Sequence, residues 1–165
     1  SALQLPDREG VVVFNTLSKR SGVPGLRSGF AAGDARIIAT LSRQRAVAGT
    51  TPPLVIQQAS VAVWGDERHV EQGRERYAER RALLAPAARA AGLEPVGGEA
   101  GMFLWLRTPT ADDEQLMRRL LTHSLLTMPG SYLGNGGEGH VRAALTPGLA
   151  DVHRAIGLLE KHPMS

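Results

Sequence analysis

The arrangement of apolar and polar residues divides the first part of the chain into two strands and two helices. Residues 11–14, Val-Val-Val-Phe, form a continuous apolar run that is typical of a strand buried on both faces. Asp34 can cap the start of a helix, and the following Gly-Thr-Thr-Pro-Pro segment ends that helix and begins another. The elements predicted here are strands at 11–14 and 29–33 and helices at 35–48 and 54–64.

A long charged helix is predicted over residues 66–91, because its apolar side chains recur at helical spacing. Pro86 lies inside this segment, lacks a backbone donor and clashes with the preceding turn, so we expect the helix to kink or split there. Gly92 follows the last apolar position and is predicted to cap the helix C-terminus.

The period of the pattern changes after Gly92, where short apolar runs alternate with glycine and proline. This pattern is typical of a compact α+β module that begins near residue 81. A buried strand at 11–14 also needs neighbours, so we expect further chain before Ser1. The elements predicted in the second half are strands at 93–96, 102–106, 125–128 and 140–145 and helices at 112–123 and 149–162.

The composition is that of an ordinary globular protein, with 42% hydrophobic and 21% charged residues. No cysteine is present, which excludes disulfides and thiolate metal ligands, and no apolar run approaches the length of a membrane span. The net charge of +3 comes from arginines interleaved with acids, which favours salt-bridged helix faces over nucleic-acid binding. We therefore expect a cytoplasmic protein without nucleic-acid or membrane partners. The histidines share no metal-ligand spacing, so no metal is predicted: His69, His123, His140, His153 and His162.

The main candidate for chemistry is Lys19, which lies in a segment rich in glycine and hydroxyl side chains between the first two predicted strands. Arg27 follows in the same segment, between Gly25 and Gly29. A guanidinium fork suits a phosphate, and nearby glycines permit close approach of a ligand to the backbone. The segment therefore predicts a site for a phosphorylated aldehyde, although a solvated basic loop is the more common fate of such residues.

Three blocks of sequence resemble the fold-type I (class I/II) pyridoxal-phosphate-dependent aminotransferases. The first is Thr-Leu-Ser-Lys at 16–19 with Gly-Leu-Arg-Ser-Gly at 25–29, which is similar to the cofactor attachment motif, with threonine in place of its first serine. The second block is 97–106, and the third joins 128–134 to 139–145. The sequence of the first block is also similar to that of succinyldiaminopimelate aminotransferases.

This resemblance implies an α/β fold in which the chain is the C-terminal part of a fold-type I transferase. Residues 1–48 would be the end of the cofactor-binding large domain, 49–80 the connecting helices, and 81–165 a small α+β domain. The acidic partner of the pyridine nitrogen, the stacking aromatic ring and a phosphate-binding turn would lie before Ser1. The complete protein would be a homodimer, and the isolated piece would have little or no activity.

The resemblance also implies a role for each site residue. Lys19 would form a Schiff base with pyridoxal 5'-phosphate and, when neutral, carry the proton at the substrate α-carbon. Thr16, Ser18 and Arg27 would hold the cofactor phosphate, and Arg142 would bind the substrate carboxylate. The alternatives are a surface ion pair for Arg27 and an ion pair with a nearby acid for Arg142.

The expected function is amino transfer from an amino acid to a 2-oxo acid, in amino-acid biosynthesis such as the succinyldiaminopimelate and lysine pathway. Two alternatives share the same residues. One is a non-catalytic aminotransferase-like domain that senses the cofactor in a transcription regulator. The other is a fold-type I lyase.

Overall fold

The structure is a computed structural model that describes residues 1–164 and divides the chain into two compact units, Ser1–Glu71 and Gln72–Ser165. The division falls inside the long charged helix and within the predicted connecting segment, residues 49–80. Within the described residues, no helix combines the length and the apolar character that a bilayer crossing requires.

The first unit contains one antiparallel strand pair and three helices. The predicted strands and both predicted helices are confirmed, and a four-residue helix after the first strand was not predicted. Short 3₁₀ turns at Ala2–Gln4 and Pro24–Leu26 complete the unit. The elements are β1 (Val12–Thr16), α1 (Leu17–Arg20), β2 (Gly29–Gly33), α2 (Ala35–Ala48) and α3 (Leu54–Trp64).

The expectation that the first strand is buried on both faces is wrong for the described residues. β1 pairs only with β2, and the side chain of Phe14 is 71% exposed. The apolar run therefore predicted the strand correctly, but a single antiparallel neighbour covers too little of it to bury both faces.

Gly33 ends β2 at a point where two backbone segments come very close. It pairs with Val12 in the register, and its φ of +150° is unfavourable for residues with a side chain. A Cβ atom at this position would collide with the carbonyl oxygen of Val11 and lie 2.9 Å from Val12 Cα. Glycine is therefore required here for the chain to pass from β2 into α2.

Asp34 joins the segment before β1 to the start of α2. One carboxylate oxygen accepts hydrogen bonds from the Arg36 and Ile37 amides (2.8 and 3.2 Å), and the other accepts from the Gly10 amide (2.8 Å). These bonds, with that from Gly10 the largest contribution, lower the pKa of the Asp34 carboxyl because they favour its charged form. The residue predicted as a helix cap thus also closes the turn before β1.

Helix α4 (Arg68–Ala90) runs through Pro86 without a break, so the alternative that proline splits it is wrong. Pro86 is exposed and lies in the last two turns, between the buried side chains of Leu84 and Ala88, and this packing holds both sides of the proline in place. The predicted cap at Gly92 is confirmed. Its φ is +88°, and the next amide donates back to the Ala88 carbonyl (2.9 Å), as in a Schellman motif.

The second unit is a four-stranded antiparallel sheet with helices packed on one face, and its strand order is β3-β4-β6-β5. The side chains of Leu104, Leu106 and Val141 point into this core, where they meet apolar residues of α4 and of the two later helices. The elements are β3 (Glu94–Val96), β4 (Phe103–Arg107), α5 (Asp113–Thr122), β5 (Met128–Pro129), β6 (His140–Ala144) and α6 (Leu149–Lys161).

The strand predicted at 125–128 is wrong over most of its length, because β5 begins only at Met128. Ser124 adopts a left-handed conformation (φ +61°), and the Leu125 amide donates to the Leu120 carbonyl at the end of α5 (3.0 Å). The apolar residues that follow α5 therefore belong to a helix-terminating turn and not to the sheet.

Replacing Gly33 with alanine is expected to destabilise the chain by about 3 kcal/mol, because the added Cβ overlaps backbone atoms that cannot move independently. Gly25 is the matched control in the same unit, since a Cβ there meets no atom within 4 Å. Gly25→Ala should stay within about 0.5 kcal/mol of the parent. Urea denaturation would measure both values, and equal effects of the two substitutions would contradict this account.

The lowered pKa of Asp34 also predicts how stability depends on pH. A carboxyl whose folded-state pKa is depressed stabilises the fold above its unfolded-state pKa, and this contribution is lost as the pH falls through the folded-state value. Asp34→Asn keeps a capping side chain but removes the charge. Its melting temperature should therefore fall less than that of the parent on acidification below about pH 4. An equal fall in melting temperature on acidification for the two proteins would contradict the prediction.

Candidate functional site

The segment that carries Lys19 forms a closed loop at one end of the β1–β2 pair. Thr16 lies opposite Gly29 in the register, so residues 17–28 leave and return at the same point. Leu17 anchors the loop: its side chain is fully buried, and its amide donates to the Ser28 carbonyl (3.1 Å). Lys19 and Arg27 therefore belong to one loop with a fixed base.

The hydroxyl of Thr16 is engaged within this loop. It accepts a hydrogen bond from the Ser18 amide (3.1 Å), which caps α1, and donates to the Ser28 carbonyl (3.3 Å). The Ser60 hydroxyl of α3 donates to the Ser28 hydroxyl (2.7 Å), which ties the loop to α3. In this arrangement Thr16 shapes the loop, while the half-buried Ser18 side chain is the hydroxyl with no such bond among the described residues.

Lys19 lies exposed on the short helix α1, and no acidic side chain of residues 1–164 forms an ion pair with it. The lysine was predicted on a turn, and the helix was missed because four residues give no periodic signal. The amine is therefore free to react with a ligand that reaches the loop.

The neighbouring Arg20 has the opposite character, with a side chain that is only 14% exposed. Its guanidinium lies 4.8 Å from the centre of the Trp64 ring, donates to the Val63 carbonyl (3.3 Å) and forms an ion pair with Glu67. These contacts fix α1 to the end of α3. No sequence motif indicated this role of Arg20.

Arg27 is exposed and adopts a left-handed conformation, with φ +48° and ψ +40°. Residues with a side chain seldom adopt this conformation, which costs about 1 kcal/mol or more. Within its own segment the guanidinium donates only to the Pro24 carbonyl (3.2 Å). The surface ion pair considered as an alternative does not occur among residues 1–164.

Arg142 lies on β6 in the second unit, on the sheet face opposite the core. It is paired with Trp105 of β4 and Met128 of β5, and its guanidinium lies 4.4 Å from the centre of the Phe103 ring. It is half-buried, and in the part of the chain that the structure describes it forms no ion pair with an acid. An arginine held by an aromatic ring and lacking a carboxylate suits an anionic ligand.

Two residues that sequence reasoning passed over support the strands around Arg142. Arg81 of α4 donates to four backbone carbonyls in and after the Gly97–Gly101 loop. Asp113 is buried and accepts a hydrogen bond from the Ser131 amide (2.8 Å). Burial opposes the charge of Asp113, but this amide and further hydrogen bonds outweigh it and lower the pKa of the carboxyl.

The predicted site residues thus fall into two groups, one in each unit. Thr16, Ser18, Lys19 and Arg27 share the loop of the first unit, and Arg142 lies on the sheet of the second. Among the described residues the first group offers an amine and a guanidinium without acidic partners, together with a hydroxyl, and these are the groups that an aldehyde and a phosphate require. The donor set therefore fits pyridoxal 5'-phosphate.

Known proteins with similar sequences are named as aminotransferases. The chain is 39% identical over 155 residues to a protein named "Probable aminotransferase" of Mycobacterium tuberculosis, which covers 93% of the chain and 36% of the relative. It is 38% identical over 138 residues to the 4-dedimethylamino-4-oxo-anhydrotetracycline transaminase of Streptomyces rimosus, with 84% of the chain and 38% of the relative covered. The chain thus spans less than two fifths of the length of these curated relatives.

A solved structure agrees with this comparison. The fold matches that of a probable N-succinyldiaminopimelate aminotransferase from Thermus thermophilus with a TM-score of 0.85 and 31% identity, over 95% of the chain and 43% of that structure. The model of the family "Aminotransferase class I and II", whose members use pyridoxal 5'-phosphate, matches residues 2–157. The expected fold-type I architecture is confirmed, and the chain belongs to the class I and II aminotransferase family.

Proposed function

We propose that this chain supplies the cofactor-attaching lysine and the carboxylate-binding arginine of a pyridoxal-phosphate-dependent aminotransferase. The complete protein would transfer an amino group from an amino acid to a 2-oxo acid. The observation that carries the proposal is the loop between β1 and β2, which presents the free amine of Lys19 and the guanidinium of Arg27 from one fixed base.

Lys19 has the central role in this proposal. When bound, the cofactor supplies an electron sink for the bond that breaks at the substrate α-carbon. The Nζ atom of Lys19 would hold the cofactor through its aldehyde and would move the proton at the substrate α-carbon. The contacts of Arg20 with α3 support this role, because they hold α1 in place while Lys19 itself stays free.

Arg27 and Ser18 would bind the phosphate of the cofactor. A guanidinium offers paired N–H groups with the spacing of phosphate oxygens, and such charge-assisted bonds are stronger than neutral ones. The left-handed backbone of Arg27 supports the proposal, because glycine would fit that conformation without strain. Thr16 would contribute by shaping the loop, since its hydroxyl already donates to Ser28.

Arg142 would bind the substrate carboxylate. A carboxylate accepts two parallel hydrogen bonds from a guanidinium, which fixes the orientation of the substrate as well as its affinity. The Phe103 ring beneath Arg142 supports this role, since it restricts the guanidinium without neutralising its charge.

The proposal extends to the substrate class, the domain boundaries and the subunit arrangement of the complete protein. A succinyldiaminopimelate-type substrate is supported by the resemblance of the lysine loop and by the Thermus structure, whereas the Streptomyces relative acts on a tetracycline intermediate. We propose residues 1–48 as the end of a large domain, 49–80 as connecting helices and 81–165 as the small domain. We also propose that the complete protein is a homodimer in which other protein surfaces cover the first unit. Its exposed apolar side chains support this, such as those of Val47 (90% exposed) and Val61 (73% exposed).

A non-catalytic cofactor sensor or a lyase would use the same lysine. The discriminating experiment supplies the complete protein with amino donors and 2-oxoglutarate and follows glutamate formation. Glutamate formation supports amino transfer, whereas cofactor binding without turnover would favour the sensor. Elimination products in place of glutamate would favour the lyase.

Lys19→Arg is expected to abolish borohydride-stable attachment of pyridoxal 5'-phosphate and to lower amino transfer by at least about 100-fold. Lys161→Arg is the matched control, because Lys161 is the only other lysine of the chain and lies at the end of α6. Peptide mass spectrometry after reduction would locate the label in the complete protein. Attachment at Lys161 or at the amino terminus in place of Lys19 would overturn the assignment.

Arg27→Gly separates stability from cofactor binding. Glycine relieves the left-handed strain but increases the entropy of the unfolded chain, so stability should stay within about 1 kcal/mol of the parent. Affinity for pyridoxal 5'-phosphate should fall by about tenfold or more, since a charge-assisted pair is lost. Binding of pyridoxal, which lacks the phosphate, should be unchanged. A parallel loss for both ligands would contradict a phosphate-binding role.

A further inference from the structure

Arg81 occupies an unusual position for an arginine on a charged helix. Its Nη2 atom donates to the carbonyls of Ala100 (2.9 Å), Gly101 (3.0 Å) and Phe103 (2.9 Å), and its Nη1 atom donates to the Gly98 carbonyl (3.4 Å). The structure records no ion pair of Arg81 with an acid in residues 1–164. Its contacts are thus directed at one segment of backbone.

The segment that Arg81 binds has little other means of holding one conformation. Gly97 and Gly101 both have positive φ (+91° and +94°), and a Cβ at either position would meet nothing within 4 Å. A glycine-rich loop without packing contacts loses much conformational entropy when it is ordered. The guanidinium offsets this cost by gathering several carbonyls of the loop around one cation.

The segment leads directly to the aromatic ring under Arg142. Phe103 is the first residue of β4, its carbonyl is the last of the four that Arg81 binds, and its ring lies 4.4 Å from the Arg142 guanidinium. From Phe103 onward the strand is held by its register with β6, and the Met102 carbonyl accepts a hydrogen bond from the Leu145 amide (2.8 Å). The glycine-rich residues before Met102 are held by Arg81, which also binds the Phe103 carbonyl.

We propose that Arg81 is a positioning residue for Arg142. By fixing the carbonyls of the glycine-rich loop, Arg81 sets the backbone at Phe103, and the Phe103 ring in turn sets the orientation of the Arg142 guanidinium. The inference rests on the proposed function for the part that concerns the substrate, because it assigns Arg81 an effect on carboxylate affinity without contact with the carboxylate.

The adjacent Arg80 indicates what Arg81 adds. Arg80 donates to the carbonyls of Leu145 (2.8 Å) and Thr146 (3.2 Å), just after β6 ends. The Leu145 amide donates to the Met102 carbonyl (2.8 Å), so the two arginines hold the two strands at the same corner of the sheet. Only Arg81, however, binds the residue whose ring supports Arg142.

The first test uses nuclear magnetic resonance on the complete protein that contains this chain. A proton above an aromatic ring is shifted upfield, so the Nε–H signal of Arg142 reports its place over Phe103. In Arg81→Met this shift should be lost, while the methyl signals of the core leucines stay unchanged. Arg81→Lys should retain part of the shift, because an ammonium can still bind one or two of the carbonyls.

The controls separate this effect from a general loss of structure. Arg89→Met removes another arginine of α4, which forms only an exposed ion pair with Glu94, and should leave the Arg142 signal in place. Phe103→Leu keeps the backbone carbonyl for Arg81 but removes the ring, and should reproduce the loss of the shift. If Arg81→Met does not fold, Arg81→Lys decides the question, because an undiminished upfield shift in that variant would overturn the positioning role.

The second test titrates the same proteins with succinate, a dicarboxylate probe, and follows the Arg142 signal. Arg81→Met is expected to weaken succinate binding by about tenfold, since a misoriented guanidinium loses its paired hydrogen bonds. An unchanged upfield shift in Arg81→Met would overturn the positioning role. If the shift is lost but succinate fails to perturb Arg142 even in the parent, positioning stands and the proposed carboxylate role of Arg142 is overturned.

Discussion

The candidate site of the first unit depends on the closure of residues 17–28 between two paired strands. Ordering a loop of this length costs entropy, and the pairing of Thr16 with Gly29 and the bond from the Leu17 amide to Ser28 offset that cost at its base. The buried Leu17 side chain adds an apolar anchor. Because closure is achieved at the base, the outer part of the loop can present polar side chains without having to bury them.

Arginine side chains provide the second constraint, through backbone carbonyls more than through acids. Arg80 and Arg81 hold the ends of two strands, and Arg119 of α5 donates to the Pro163 and Met164 carbonyls near the end of the chain. A planar guanidinium has five N–H donors and can bind more carbonyls at once than the three N–H donors of a lysine ammonium. These contacts explain why a chain with little aromatic content and many arginines orders its glycine-rich segments.

Elements with a strong local signal were predictable from the sequence. The helices at 35–48 and 54–64 were found because capping residues and prolines mark their ends, and Gly92 because only glycine suits its conformation. α1 was missed, since four residues cannot show a period, and the strand predicted at 125–128 was wrong because a left-handed Ser124 turns the chain. Apolar patterns predict which residues prefer a strand, but not which backbone turns and hydrogen bonds limit its length.

The candidate site residues were proposed from sequence motifs and not from apolar patterns, and this difference explains which residues were missed. Sequence motifs identified Lys19, Arg27 and Arg142, which have few partners within the described chain and are free for a ligand. They gave no signal for Arg20 and Arg81, whose roles depend on contacts with residues more than 15 positions away. An arginine that binds ligand and one that binds backbone have identical chemistry, and only the groups that surround each guanidinium distinguish them. The exposed Lys19 beside the fixed Arg20 is therefore more informative about the candidate site than the net charge of the chain.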